Sequence, residues 1–177
     1  WLDAGTYVYI CLTWDDSWGS ASNDYDLYLY YGNETEPRAV SENDQSGAYP
    51  DPIEVIRGAA PVSGWYYVQV LEWATTSDRM LDLICRPDNG EALDIYTQAG
   101  SIHDEGTSPF CATVGAVDWA SPGTLESFSS CGPTADGRTK PDLVGPDMVS
   151  SYTYGTEGFG GTSAATPHVA GAAALVK

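Results

Sequence analysis

A chain of 177 residues, 42% hydrophobic and 12% aromatic, has enough apolar material for one large domain or two small ones, which excludes a disordered tail. Seven Lys and Arg against 25 Asp and Glu leave a net charge of -18. Such a surface repels phosphates and anionic lipids, so nucleic acid and membrane surfaces are excluded as partners, while cations are tolerated or recruited, calcium first. No apolar run approaches the ~20 residues of a membrane span. The chain carries no signal peptide, lacks an initiating Met and starts in strand-like sequence, which reads as a piece of a longer precursor.

Residues 1 to about 88 read as all-β, in short alternating runs separated by turn residues. Thr6 to Trp14 places Val8, Ile10, Leu12 and Trp14 on one face. Tyr25 to Tyr31, Ile53 to Arg57, Trp65 to Trp73 and Met80 to Arg86 are the other strands expected in this half. Short strands at this spacing predict an antiparallel, jelly-roll-like β-sandwich. The Asp15, Asp16, Asn23, Asp24, Asp26 group supplies oxygen ligands of the kind calcium needs, though not at EF-hand spacing. The competing reading is a solvated acidic loop.

Four cysteines, Cys11, Cys85, Cys111 and Cys131, allow three connectivities, and none has zinc-ligand spacing. Pairing within each half, Cys11 with Cys85 and Cys111 with Cys131, is the simplest scheme and implies an oxidising compartment. Free thiols are the alternative. Alternation already argues against Cys11–Cys85, since Cys11 lies opposite Ile10 and Leu12 whereas Cys85 shares a face with Leu81 and Leu83.

Pro87 to Ala92 is a turn-rich junction, and the expected boundary is 1–88 and 89–177. Beyond it, Leu93 to Tyr96, Ala112 to Trp119 and Val149 to Tyr154 read as strands. The apolar run Val114-Gly115-Ala116-Val117 predicts a buried strand of a parallel sheet. The chain closes on Gly161-Thr162-Ser163-Ala164-Ala165-Thr166-Pro167-His168-Val169-Ala170-Gly171. Small residues lead into a helix that is apolar on every side from Val169 to Val176, which predicts burial. Ser163 then stands at a helix N-terminus, where unpaired N–H groups and the positive dipole end gather. That setting suits a nucleophile whose reaction builds an oxyanion.

This run closely resembles the nucleophile motif of subtilisin-like serine proteases, with Ala164 where Met is commonest and Thr166 where Ala or Ser is usual. The order of Val114-Gly115-Ala116, Phe128-Ser129-Ser130-Cys131-Gly132-Pro133, Asp136-Gly137-Arg138, Lys140-Pro141-Asp142 and Gly161-Thr162-Ser163 is similar to the C-terminal part of that catalytic domain, over residues 93 to 177. Gly145-Pro146-Asp147 stands where Ala-Pro-Gly is usual. The first half resembles, more weakly, the β-sandwich modules of secreted proteases, such as pre-peptidase C-terminal domains and the P-domain of kexin-like enzymes.

The resemblance implies a mixed fold, a β-sandwich inserted into an α/β parallel-sheet domain. It also implies a secreted endopeptidase acting on protein or peptide substrates with no cofactor for its chemistry. Ser163 would be the acyl-accepting nucleophile and Gly161 and Thr162 would shape the turn. The family's Asp-Thr/Ser-Gly and His-Gly-Thr motifs and its oxyanion Asn are absent. His168 lies five residues after Ser163 on one helix, roughly 500° around, so it faces away. His103 reads as a loop residue and Asn89 as a turn residue. The expectation is therefore an inactive piece whose partner is the missing N-terminal half, with dimerisation through exposed sheet edges as another outcome. From a different class, the alternative is a non-catalytic module of a secreted pseudo-protease. Its sandwich would bind protein or polysaccharide through exposed aromatics such as Trp18, Trp65 and Trp73.

Overall fold

The computed structural model of the chain describes residues 1–45, 47–90, 93–102, 104–134 and 136–176. It divides into two compact units, Trp1–Tyr96 and Thr97–Lys177. The division falls eight residues after the boundary expected at residue 88.

In the first unit the alternating runs become β1 (Tyr7–Trp14), β2 (Asp24–Tyr31), β3 (Ala39–Ser41), β4 (Ile53–Ala59), β5 (Tyr66–Ala74) and β6 (Leu81–Pro87). They form two three-stranded antiparallel sheets, in the orders β4-β1-β6 and β3-β2-β5. Side chains two apart share a face, so each strand offers one apolar row. Val8, Ile10, Leu12 and Trp14 of β1 meet Tyr25, Leu27 and Leu29 of β2 and Ile56 of β4 in a single buried cluster. Each buried aliphatic there contributes about 1.5–3 kcal/mol. The Trp14 and Tyr25 rings add an edge-on contact at 5.0 Å. Leu93 to Tyr96 does not form the expected strand: it bends, and Ile95 and Tyr96 are exposed. No strand among the described residues pairs with it, and an apolar run alone does not make a ladder.

The strand register overturns the proposed Cys11–Cys85 bridge. Cys11 stands opposite Ile84, and Cys85 stands opposite Ile10. One position of offset sends the two side chains to opposite faces of the sheet. Cys111 and Cys131 are not joined either. The Cys131 thiol donates to the Gln98 carbonyl at 3.2 Å, and Cys111 is exposed.

In the second unit a 3₁₀ turn (Asp104–Thr107) precedes β7 (Val114–Asp118), β8 (Leu143–Asp147), β9 (Val149–Ser151), β10 (Gly155–Phe159) and α1 (Thr162–Val176). Strands β7 and β8 run parallel, from Val114 opposite Leu143 to Asp118 opposite Asp147. Gly115, Ala116 and Val117 are buried, as an apolar run in a parallel pair requires. The strand expected from Val149 to Tyr154 stops at Ser151, turns, and returns as β10. Gly155 allows the return with a φ of 63° that a side chain would strain.

The segments between β7 and β8 are tied down by polar contacts. Ser129 is buried, and its hydroxyl accepts the Ala116 N–H at 3.0 Å. Gln98 Nε2 donates to the carbonyls of Glu126 and Ser129 at 2.7 and 2.6 Å. Buried Lys140 donates to the Cys111 carbonyl at 3.0 Å and to Asp142 at 2.6 Å. The hydrogen bond from Lys140 holds the Asp142 carboxyl below its usual range.

Helix α1 departs from expectation. Only Ala164 and Ala165 are buried, and Leu175 and Val176 are 89% and 86% exposed. An apolar helix is buried only where something covers every side. Here the parallel pair β7–β8 covers one side of its first turns.

Candidate active site

The carboxyl end of β8 and the first turn of α1 form the candidate site. Gly145 lets the two approach: a Cβ there would lie 2.5 Å from the Ala165 carbonyl oxygen. The helix therefore rests on the strand backbone to backbone. Gly161 enters the helix with a φ of 92°, in the left-handed region that favours glycine. Its carbonyl accepts the N–H groups of Ala164 and Ala165 at 2.9 and 3.2 Å. Thr162 begins the helix, and its carbonyl accepts the Thr166 hydroxyl at 2.8 Å. Pro167 sits in the second turn, so the N–H that would reach the Ser163 carbonyl is missing.

Ser163 is exposed on that first turn, and its hydroxyl has no hydrogen-bond partner among the described residues. A serine so placed can present its oxygen to a ligand lying outside the carboxyl ends of the parallel strands. It becomes a nucleophile only with a base in hydrogen-bond reach. His168 cannot serve: its Nδ1 lies 2.7 Å from the Ala164 carbonyl. A carbonyl only accepts, so Nδ1 carries the proton and is engaged by its own helix. His103 lies outside the described residues. Asn89 lies in the turn after β6, in the first unit.

Asp147 is the site residue that sequence reasoning missed. It ends β8, is 0% exposed, and its Oδ2 accepts the Gly161 N–H at 2.9 Å. Its Oδ1 has no partner among the described residues. The carboxylate thus holds the glycine that launches the serine turn. The only signal for it in the sequence is the Asp in Gly145-Pro146-Asp147. Asp147→Ala is expected to cost about 1–3 kcal/mol by leaving the Gly161 N–H unsatisfied, and Asp147→Asn to recover most of it. Urea unfolding of both variants checks this, and equal midpoints would remove the anchoring role.

The acidic group of the first half does not stay together. Asp16 accepts the N–H groups of Ser22 and Asn23 at 3.0 and 2.9 Å and pairs with Arg79 at 3.0 Å. Asp15 accepts the Met80 N–H at 3.0 Å. These two tie the β1–β2 loop. Asp24 and Asp26 belong to β2 and are buried. Among the described residues no three His, Cys, Asp or Glu side chains gather as a metal site.

Burial pushes the Asp24 carboxyl up to about 6, with the charges of Asp26, Asp44 and Glu54 adding to it. The folded chain therefore holds this proton more tightly than the unfolded chain, whose Asp titrates near 4. Stability from Asp24 is complete below about pH 4 and is lost as pH rises through about 6. The melting temperature of the wild type relative to Asp24→Asn is expected to fall across that window. A constant difference would refute the buried charge.

A serine on the first turn of a helix, entered through a left-handed glycine above a parallel strand pair, is an arrangement suited to α/β hydrolytic enzymes. The Subtilase family model matches residues 15–177, and the chain belongs to that family. It is in kind a subtilisin-like peptidase, which implies protein or peptide substrates. The match begins within the first unit, just after β1. No solved structure matches the chain. No helix among the described residues is long and apolar enough to cross a membrane.

Proposed function

We propose that this chain carries the nucleophile portion of a secreted serine endopeptidase, with Ser163 attacking the scissile carbonyl to form an acyl-enzyme. The observation that carries the reading is the exposed Ser163 on the first turn of α1, held by Gly161 and Asp147. The Ser163 N–H would supply one oxyanion donor, at the positive end of the helix dipole. The base, its orienting carboxylate and the second oxyanion donor would come from a catalytic half outside this sequence. The apolar surface left open on Leu175, Val176, Leu143 and Val144 supports such a partner. In this reading the first unit is a jelly-roll-like module inserted in the catalytic domain. Secretion rests on the acidic surface and the family, not on disulfides.

The test is turnover of a chromogenic peptide. The 177-residue chain alone should show none, and the complete peptidase should show activity that disappears in Ser163→Ala. Activity of the isolated chain that requires Ser163 would sink the claim that the base lies elsewhere. Exposed Trp18 and Trp73 favour a second role for the first unit, as a surface that grips the substrate. Trp65 is less available, since it packs edge-on against Trp1 at 6.0 Å.

A further inference from the structure

Strand β5 ends its sheet, and among the described residues only β2 pairs with it along its length. It is the longest of the four edge strands of the first unit, nine residues against three for β3 and seven each for β4 and β6. Edges left open are ordinarily blunted by shortness, Pro, Lys or a bulge. β3 is short, β4 carries Arg57 and Gly58, and β6 ends in Pro87. The β5 run has no Pro, Gly or Lys, and Glu72 is its one charge. Its register on β2 is unbroken from Tyr66 to Glu72. The core is also thinner here. Val68 and Val70 pack on the buried cluster but stay half-buried, whereas Leu29 and Leu27, opposite them on β2, are 6% and 0% exposed.

The register of a strand on this edge is already set. The Leu2 N–H donates to the Gly64 carbonyl and the Gly64 N–H to the Leu2 carbonyl, both at 2.9 Å, in an antiparallel bridge. The next carbonyl, of Trp65, points the other way and accepts the Gly32 N–H after β2 at 2.9 Å. Successive backbone groups of a strand face opposite sides, so Leu2 lies on the edge of β5 away from β2. The side chains agree. Leu2 is 9% exposed and belongs to the core cluster, while Trp1 is 49% exposed with its ring edge-on to Trp65 at 6.0 Å. An antiparallel ladder continued from this bridge sets Trp1 opposite Trp65 and the residue before Trp1 opposite Tyr66.

We infer that in the complete peptidase the stretch of polypeptide leading into Trp1 is a further strand on the free edge of β5, antiparallel and in the register of Leu2 and Gly64. The inference rests on the reading above, which places a catalytic half outside this sequence. The backbone groups of Tyr66, Val68 and Val70 face the added strand. Counted back from Trp1, its first, third and fifth residues stand opposite these three, face the core and are apolar. Its second and fourth stand opposite Tyr67 and Gln69 on the outer face. The first unit is thereby held to the incoming chain by a ladder as well as by a peptide bond. A second copy of this chain fits the edge less well, because Leu2 already occupies it at Gly64.

Amide hydrogen exchange of the complete peptidase and of the 177-residue chain tests this. The Tyr66, Val68 and Val70 amides should exchange about a hundredfold more slowly in the complete protein, whereas those of Tyr67 and Gln69, which face β2, should change little. The register has its own test in the complete protein. Tyr67→Cys combined with cysteine at the second residue before Trp1 should form a disulfide on oxidation by glutathione disulfide. Opposite residues outside a hydrogen-bonded pair stand about 4.5 Å apart at Cα, within disulfide reach. Tyr67→Cys with cysteine at the third residue should stay unjoined. Equal exchange of the three amides in both proteins overturns the strand, and joining at the third residue overturns its register. Protection of those amides in the 177-residue chain alone, with a dimer in sedimentation, overturns the choice of occupant. None of these readouts needs turnover, so activity that survives Ser163→Ala would sink the peptidase reading without deciding the strand.

Discussion

Ser163→Ala in the complete peptidase is expected to lower kcat on a peptide substrate on the order of 10⁶-fold, the scale of loss that removing the nucleophile brings in subtilisin. KM should move little, because the serine oxygen adds almost nothing to ground-state binding. Melting should also be unchanged, since Ser163 is exposed and its hydroxyl bonds to none of the described residues. A drop of only tenfold, with chemistry still rate-limiting, would mean that another residue attacks the carbonyl. The size of the effect follows from what surrounds the serine. Gly161 and Asp147 fix where it stands, and its hydroxyl is left open on the first turn of α1.

Gly145→Ala should damage both stability and activity. The added methyl carbon would sit 2.5 Å from the Ala165 carbonyl oxygen and 3.0 Å from its carbon. These are backbone atoms in the first turns of α1, so no side-chain rotation relieves the clash. The helix must lift from β8, at a cost of about 1–3 kcal/mol. Lifting it moves Ser163, and a displacement near 1 Å is enough to cost about 10²-fold in rate. Urea unfolding of the 177-residue chain and kcat of the complete enzyme measure the two halves. Wild-type values in both would show that the strand and helix have room to spare.

The strands of the first unit were legible where they were long enough to alternate. β1, β2, β5 and β6 follow from their apolar rows, and β1 and β2 put those rows into one core. β3 has three residues, too few for a period. β8 contains Gly145 and Pro146, residues that ordinarily argue against a strand, and it pairs only because β7 lies parallel beside it. Leu93 to Tyr96 looked like a strand because apolar content does not reveal whether a partner exists. The helix was legible as a helix but not in its exposure, since burial depends on what packs against it rather than on its own composition.

The site divided the same way. Ser163, Gly161 and Thr162 were marked by an eleven-residue motif. Asp147 was visible only as a departure from the usual form, and its partner Gly161 lies fourteen positions away. The acidic group misled because closeness in sequence says nothing about direction. Asp16 turns to its own loop and Asp15 accepts the distant Met80 N–H, while Asp24 and Asp26 ride on β2 and are buried.

The contact between Gly145 and Ala165 also bears on motion. Two backbones that touch directly have no rotamers between them, so there is no side-chain layer to soften as temperature rises. The distance from β8 to Ser163 is then set by the stiffness of the main chain itself. Warming should fray the far end of α1, at Leu175 and Val176, well before the turn that carries the serine.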